Sequence, residues 1–125
     1  MEEVTKKGRS FWGPHFWSSI HSIAAVYRPE KEEAFMNFIT SLTDLLPCDQ
    51  CRENLKGNLV KYPPTNYLRN NHDLFFWTYL LHDAVNQEHN KHRPQEPKKY
   101  SPPFEDVKKF YYKALAEDCK VCENP

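Results

Sequence analysis

The sequence predicts an all-α protein, a four-helix bundle plus a short fifth helix, and three observations carry that reading. Apolar residues recur at three- and four-residue steps in several separate stretches, the period of a helix with one buried face. No stretch shows the sustained apolar–polar alternation of a strand, and no internal repeat is present. Ten prolines against three glycines divide the stretches from one another. With 125 residues the chain is long enough to bury one sizeable core without a compulsory metal staple. The predicted division is an N-terminal arm over 1–10, one folded domain over 11–118 and a tail over 119–125.

Each element follows from its punctuation. Gly13-Pro14 is expected to open the first helix, since proline suits a first turn. Trp17, Ile20, Ile23, Ala24 and Tyr27 supply its apolar face, and Pro29 marks the break. Phe35, Phe38, Ile39, Leu42, Leu45 and Leu46 form the second stripe, which Pro47 ends. A more polar third helix runs from Cys48 to about Val60, with Cys51, Leu55 and Leu59 on one side, until Tyr62-Pro63-Pro64 stops it. Asn71 or Asp73 is the expected cap of the fourth helix, whose buried stripe reads Phe76, Trp77, Leu80, Leu81, Ala84 and Val85. A linker over 91–103 carries four prolines, and a fifth helix follows on Phe104, Val107, Phe110, Tyr111, Ala114 and Leu115.

Composition narrows the function classes. Seventeen basic and seventeen acidic side chains give a formal net charge of zero, which provides no steering toward nucleic acid or an anionic membrane. The opening MEEVTKKGRS lacks the apolar core of a secretory signal, and its glutamates speak against an acid-poor transit peptide. The apolar runs are too short and interrupted to span a bilayer. A soluble chain made in the cytosol is expected, where paired cysteines are more often catalytic or metal-binding than static staples. Three glycines provide no glycine-rich phosphate loop.

All four cysteines fall in two Cys-x-x-Cys pairs, Cys48/Cys51 and Cys119/Cys122. Such a pair can close a disulfide, pass electrons as a dithiol or hold two corners of a zinc site. Pro47 lets Cys48 begin a helix, where free N–H groups and the positive dipole end favour a thiolate. Zinc would need both pairs, and the separation of Cys51 from Cys119 far exceeds the roughly 15–20 residues of a zinc ribbon. A discontinuous site, an inert clasp and redox use all remain open on spacing alone. His21 and His82 lie on or beside apolar helix faces, where satisfied core histidines are commoner than ligands. His82, Asn86 and Lys91 approach one helix end beside an aromatic stripe, an arrangement that can hydrogen-bond a planar heterocycle or simply finish a helix. Trp17 and Trp77 are core residues by default.

Three blocks together are more specific. Gly13-x-x-x-Trp17-x-x-x-His21-x-x-Ala24-Ala25, then Pro47-Cys48-x-x-Cys51, then Trp77-x-x-x-x-His82-x-x-Val85-Asn86-x-x-x-x-Lys91 resembles the Erv/ALR family of FAD-linked sulfhydryl oxidases in order and separation. The match covers roughly residues 9–91, and the Trp-Gly-Pro-x-x-Trp opening and short format are most similar to members from large cytoplasmic DNA viruses. The resemblance implies a helical bundle with FAD at its mouth, and a homodimer. It also implies a thiol oxidase that takes electrons from a protein dithiol (a thioredoxin-like carrier among the options) to molecular oxygen, giving H2O2. Cys48 and Cys51 would be the proximal disulfide, with Cys51 facing the flavin and Cys48 exchanging with incoming thiols. Cys119 and Cys122 would be a shuttle disulfide. Arg9, Gly13, Trp17, His21, Tyr27, His82, Asn86 and Lys91 would contact FAD, with no metal. A cytoplasmic or virion location follows if the source is viral, the mitochondrial intermembrane space otherwise.

The chain departs from the family pattern in three places. Asp83 stands where the family usually has Asn, and Leu46 where it has Tyr before Pro-Cys. The proline-rich linker precedes the fifth helix, where Lys109 and Phe110 are the candidate contacts. The competing function is a zinc-stabilised helical interaction module without enzymatic activity, and a third is an oxygen-independent thiol exchanger.

Overall fold

A computed structural model describes residues 6–118. It is helical throughout, with no strand among the described residues: α1 (Arg9–Ala25), α2 (Glu32–Leu45), α3 (Asp49–Lys61), α4 (Asn71–His92) and α5 (Phe104–Leu115). Short 3₁₀ turns at Pro29–Lys31 and Pro64–Tyr67 stand where the prolines predicted breaks. α4 lies beside α1, α2 beside α3, and α5 closes over α1 and α4. The Cys119/Cys122 pair lies outside the described residues.

α1 begins earlier than Gly13-Pro14 indicated. Gly8 precedes it at φ +58°, a conformation that side chains resist, and the Gly8 carbonyl accepts from Phe11 and Trp12. Pro14 therefore sits in the second turn, without the N–H that an i−4 bond requires. In α2, Phe35, Ile39 and Leu42 are buried as expected, while Leu45 is 69% exposed. Leu46, with ψ at 139°, turns the chain out of the helix toward Pro47.

The stripes of α4 and α5 are each rotated from the predicted ones. The face of α4 that is buried runs Leu74, Phe75, Trp77, Thr78 and Leu81, while Phe76 lies outside it, edge-on to Phe104 at 5.0 Å. Asn70, not Asn71 or Asp73, is the cap: its side chain accepts from the Asp73 N–H at 2.8 Å. Asn71 is buried and donates to Ala25 O at 2.9 Å, tying α4 to the end of α1. In α5 the buried ring is Tyr112, and Phe110 is 69% exposed. One step along a helix turns the side chain by about 100°, so neighbouring aromatics face different surroundings. Tyr112 takes the interior place because its hydroxyl meets Asn71 Nδ2 at 3.3 Å and His72 Nδ1 at 3.1 Å.

Trp77 joins the halves of the bundle. Fully buried, it meets Phe35 edge-on at 6.1 Å and donates from Nε1 to Tyr62 O at 2.8 Å, where α3 ends. Replacing it with Phe leaves that carbonyl unpaired and opens a void. Trp77→Phe is therefore expected to destabilise the fold by about 2–4 kcal/mol. The denaturation midpoint should fall with an unchanged m value; a shift below about 0.5 kcal/mol would contradict this placement.

Candidate functional site

A cavity of about 890 Å³ opens between α1, α2, α3 and α4. That lies near the upper end of the roughly 300–1,000 Å³ typical of small-molecule sites. Its apolar floor is Ile39, Leu42, Leu55 and Leu81, and Trp12, Phe16 and Trp17 of α1 form an aromatic wall. Arg9, Arg93 and Lys99 bring positive charge to it. Partial burial, followed by repulsion from Arg93, lowers the Arg9 pKa, while Glu96 opposes both. Two guanidinium groups thus lie near one another at the cavity, where Arg93 pairs with Glu96 at 3.5 Å and Glu88 also lines the wall; cations there outnumber the lining carboxylate. A second cavity of about 620 Å³, under the linker and α5, shares His82, Asn86, Lys99 and Tyr111 with the first.

Cys48 and Cys51 are joined as a disulfide with a Cα–Cα distance of 5.1 Å. The sequence sets this up locally. Pro47 ends the α2 connection, and Cys48 takes an extended conformation as the cap of α3. Its Sγ accepts from the Cys51 N–H at 3.1 Å. Arg52 donates to Leu46 O and to the Asp49 carboxylate, bracing the turn. The two sulfurs are not equivalent: Cys51 lines the large cavity and Cys48 does not. Among the described residues no three His, Cys, Asp or Glu side chains gather as a metal site, and both Cys48 and Cys51 are committed to their disulfide.

The histidines are wired in series. The Thr78 hydroxyl donates to Phe75 O at 2.6 Å, so its oxygen is left to accept from His21 Nδ1 at 2.8 Å. A neutral His21 then carries its proton on Nδ1 and must accept at Nε2, and there it receives His82 Nδ1–H at 3.0 Å. His82 Nε2 is left as an acceptor, without a partner among the described residues. Both rings are held neutral. Burial, aided by the His82 ring, pushes His21 down to about 3; burial and then Lys99 push His82 down to about 4 against the pull of Asp83. Trp17 stacks on His82 with centroids 3.9 Å apart and planes 7° from parallel.

Of the residues expected to contact a cofactor, Arg9, Gly13, Trp17, His82 and Asn86 line the large cavity, and Cys51 lines it with them. His21 lines the smaller cavity and supports His82 from behind. Tyr27 lines neither; buried, it donates from its hydroxyl to Leu68 O at 2.8 Å. Lys91 is exposed and lines neither, while His89, His92 and Arg93 of the same helix end line the larger one. Phe110 lines the smaller cavity, and Lys109 is exposed and lines neither. Leu46, in the family's Tyr position, forms part of the larger cavity's wall.

Sequence reasoning missed Thr78, Lys99, Ser101 and Tyr111. Thr78 carried one usable signal, a hydroxyl four residues before His82 on the same helix face. Lys99 and Ser101 carried none, because the fold of the linker brings them to α4. That linker is bonded along its length. Tyr79 donates to Pro102 O at 2.6 Å, Asn90 exchanges two 2.7 Å bonds with the Lys99 backbone, and Ser101 bonds to Asp83 at 2.8 Å.

Comparison with known proteins bears on the family of the chain. The Erv1 / Alr family model matches residues 14–111. An FAD-linked sulfhydryl oxidase from a Pig/Kenya isolate of African swine fever virus is 36% identical over 85 residues, 64% of this chain and 69% of that protein. Its counterpart from a Warthog/Namibia isolate is 35% identical over 85 residues, with the same shares. The putative FAD-linked sulfhydryl oxidase 096R of Invertebrate iridescent virus 3 is 30% identical over 84 residues, 64% of this chain and 57% of its own. A helical bundle of this order, a Cys-x-x-Cys disulfide at the start of α3 and a match over most of the chain lead to one assignment: the chain belongs to the Erv1/Alr family.

Proposed function

We infer that this chain is an FAD-dependent sulfhydryl oxidase that forms disulfides in protein thiols at the expense of molecular oxygen. The observation that carries the reading is the Cys48–Cys51 disulfide with one sulfur, Cys51, in the wall of an aromatic and cationic cavity. The residues present fit FAD. Trp17 and His82 offer stacked planar surfaces, the histidine series and Asn86 offer polar edges, and Arg9, Arg93 and Lys99 suit a diphosphate. When bound, FAD accepts two electrons from a dithiol pair and delivers them to oxygen as H2O2.

The protein's own part is thiol–disulfide exchange. An incoming thiolate attacks Cys48 Sγ, breaks the Cys48–Cys51 bond and releases the Cys51 thiolate into the cavity wall. The second substrate thiolate then attacks the mixed disulfide; the substrate leaves oxidised, with Cys48 and Cys51 holding its two electrons. The Cys51 N–H and the dipole of α3 stabilise negative charge on Cys48 as it departs. Cys119/Cys122 would act as an outer shuttle that passes electrons to Cys48/Cys51, in the same or a partner subunit of a homodimer. The virus relatives support a setting in the infected cell's cytoplasm or the virion. No helix among the described residues is long and apolar enough to cross a membrane.

The test is the visible spectrum of the purified protein with a zinc assay. A yellow protein with a flavin absorption band and no stoichiometric zinc is expected. A colourless protein carrying stoichiometric zinc, unfolded by chelators, would establish the interaction module instead.

A further inference from the structure

Asp83, which stands where the family usually has Asn, does not line either cavity. Its Oδ1 accepts the Ser101 hydroxyl at 2.8 Å, and its Oδ2 accepts Gln87 Nε2 at 2.6 Å. Ser101 has one hydroxyl hydrogen, and an ionised carboxylate can only accept, so that hydrogen goes to Asp83. Ser101 Oγ is left as an acceptor toward Asn86, 3.1 Å away, and Asn86 must turn its Nδ2 to it. The side-chain amide is thereby fixed: nitrogen toward the linker, Oδ1 on the other branch. Asn86 is buried yet lines both cavities, and its Oδ1 has no protein partner among the described residues.

One helical turn earlier on the same face stands His82, with Nε2 left as an acceptor by its own chain of bonds. Two independent relays, Phe75–Thr78–His21 and Asp83–Ser101, thus end in the same chemical result at adjacent positions.

We propose that Asp83, acting through Ser101, is a positioning residue that holds Asn86 as an acceptor beside His82, so that the site selects its planar heterocycle by N–H donors. This rests on the flavin reading of the site. FAD has two donors of that kind: the exocyclic amino group of adenine and the N3–H of the flavin ring. A carbonyl or a methyl group in place of the donor would face two acceptors and leave both desolvated and unpaired. Without Asp83, the Ser101 hydroxyl is free to donate to Asn86, the amide turns over and its NH2 enters the cavity. The linker itself stays in place, since Tyr79 and Asn90 hold it independently.

The experiment measures dissociation constants of the apoprotein for FAD, for the analogue with hypoxanthine in place of adenine and for N3-methyl-FAD, by quenching of protein fluorescence. Wild-type protein is expected to bind one of the two analogues about 10- to 100-fold more weakly than FAD, and which one identifies the ring at His82 and Asn86. In Asp83→Ala and Ser101→Ala the discrimination should shrink to about threefold or less. Asp83→Asn, which keeps a carbonyl acceptor for Ser101, should retain it. A purely structural role would weaken all three ligands alike and leave the ratio unchanged; that result, or wild-type protein that binds FAD without discriminating, overturns the inference alone. Wild-type protein that binds no flavin nucleotide overturns the oxidase reading and this inference with it.

Discussion

Cys51→Ser is expected to reduce oxidation of every thiol substrate to background while leaving FAD bound. In the proposed function Cys51 would be the sulfur from which electrons pass to a bound cofactor, since it lines the cavity and Cys48 does not. Serine has no accessible thiolate chemistry, so neither small nor protein dithiols can bypass the loss. Cofactor binding should survive, because stacking surfaces, polar edges and cations lie elsewhere around the cavity. The contrast is the double variant Cys119→Ser/Cys122→Ser. It should oxidise dithiothreitol at the wild-type rate and lose activity toward protein dithiols. Oxygen consumption with both substrates, beside the flavin absorbance, reads all of this. Dithiothreitol turnover by Cys51→Ser at the wild-type rate would remove Cys51 from the electron path, and equal loss on both substrates in the double variant would remove the shuttle.

Mild acid should unfold the apoprotein well before its carboxylates titrate. His21 and His82 are depressed to about 3 and about 4 in the folded chain, against 6.5 when unfolded. Their neutral forms therefore favour folding fully above pH 6.5. As pH falls below that value the unfolded chain gains protons that the folded chain refuses, and stability is lost progressively until the folded values are reached. Where both rings titrate only in the unfolded state, the slope approaches about 2.7 kcal/mol per pH unit. The local charges work in opposite directions: Lys99 reinforces the depression of His82 and Asp83 opposes it. Urea titrations at pH 7.5, 6, 5 and 4.5 should show this fall. Stability that is flat from pH 7 to 5 would mean that the pair is not held neutral.

Element existence was legible because each apolar stripe had its own period and its own proline boundary. The faces were less so, for a local reason. Phe75-Phe76-Trp77 and Phe110-Tyr111-Tyr112 each put three aromatics in a row, and any of them satisfies a hydrophobic stripe. Which one is buried depends on partners distant in sequence: Tyr112 on Asn71 and His72, Trp77 on Phe35 and the Tyr62 carbonyl. The cap of α4 was obscured similarly, since Asn70, Asn71 and Asp73 are all capping types. At the site, the residues on α1, α3 and α4 could be found from spacing and resemblance. The linker's contribution could not, because Lys99 and Ser101 reach α4 through side-chain bonds that no periodicity records. The meaning of Asp83 was hidden with them.

The bonds through the histidines all run one way, from His82 to His21 to Thr78 and on to the Phe75 carbonyl. A carbonyl oxygen carries no proton to hand on, so this path is closed at its inner end. It cannot work as a proton wire between the cavity and the far side of the bundle. The two protons that thiols give up on oxidation, which end in H2O2 in the proposed reaction, therefore cannot travel along this path. The series thus anchors the two rings and fixes which nitrogen carries each proton, rather than moving protons through the bundle.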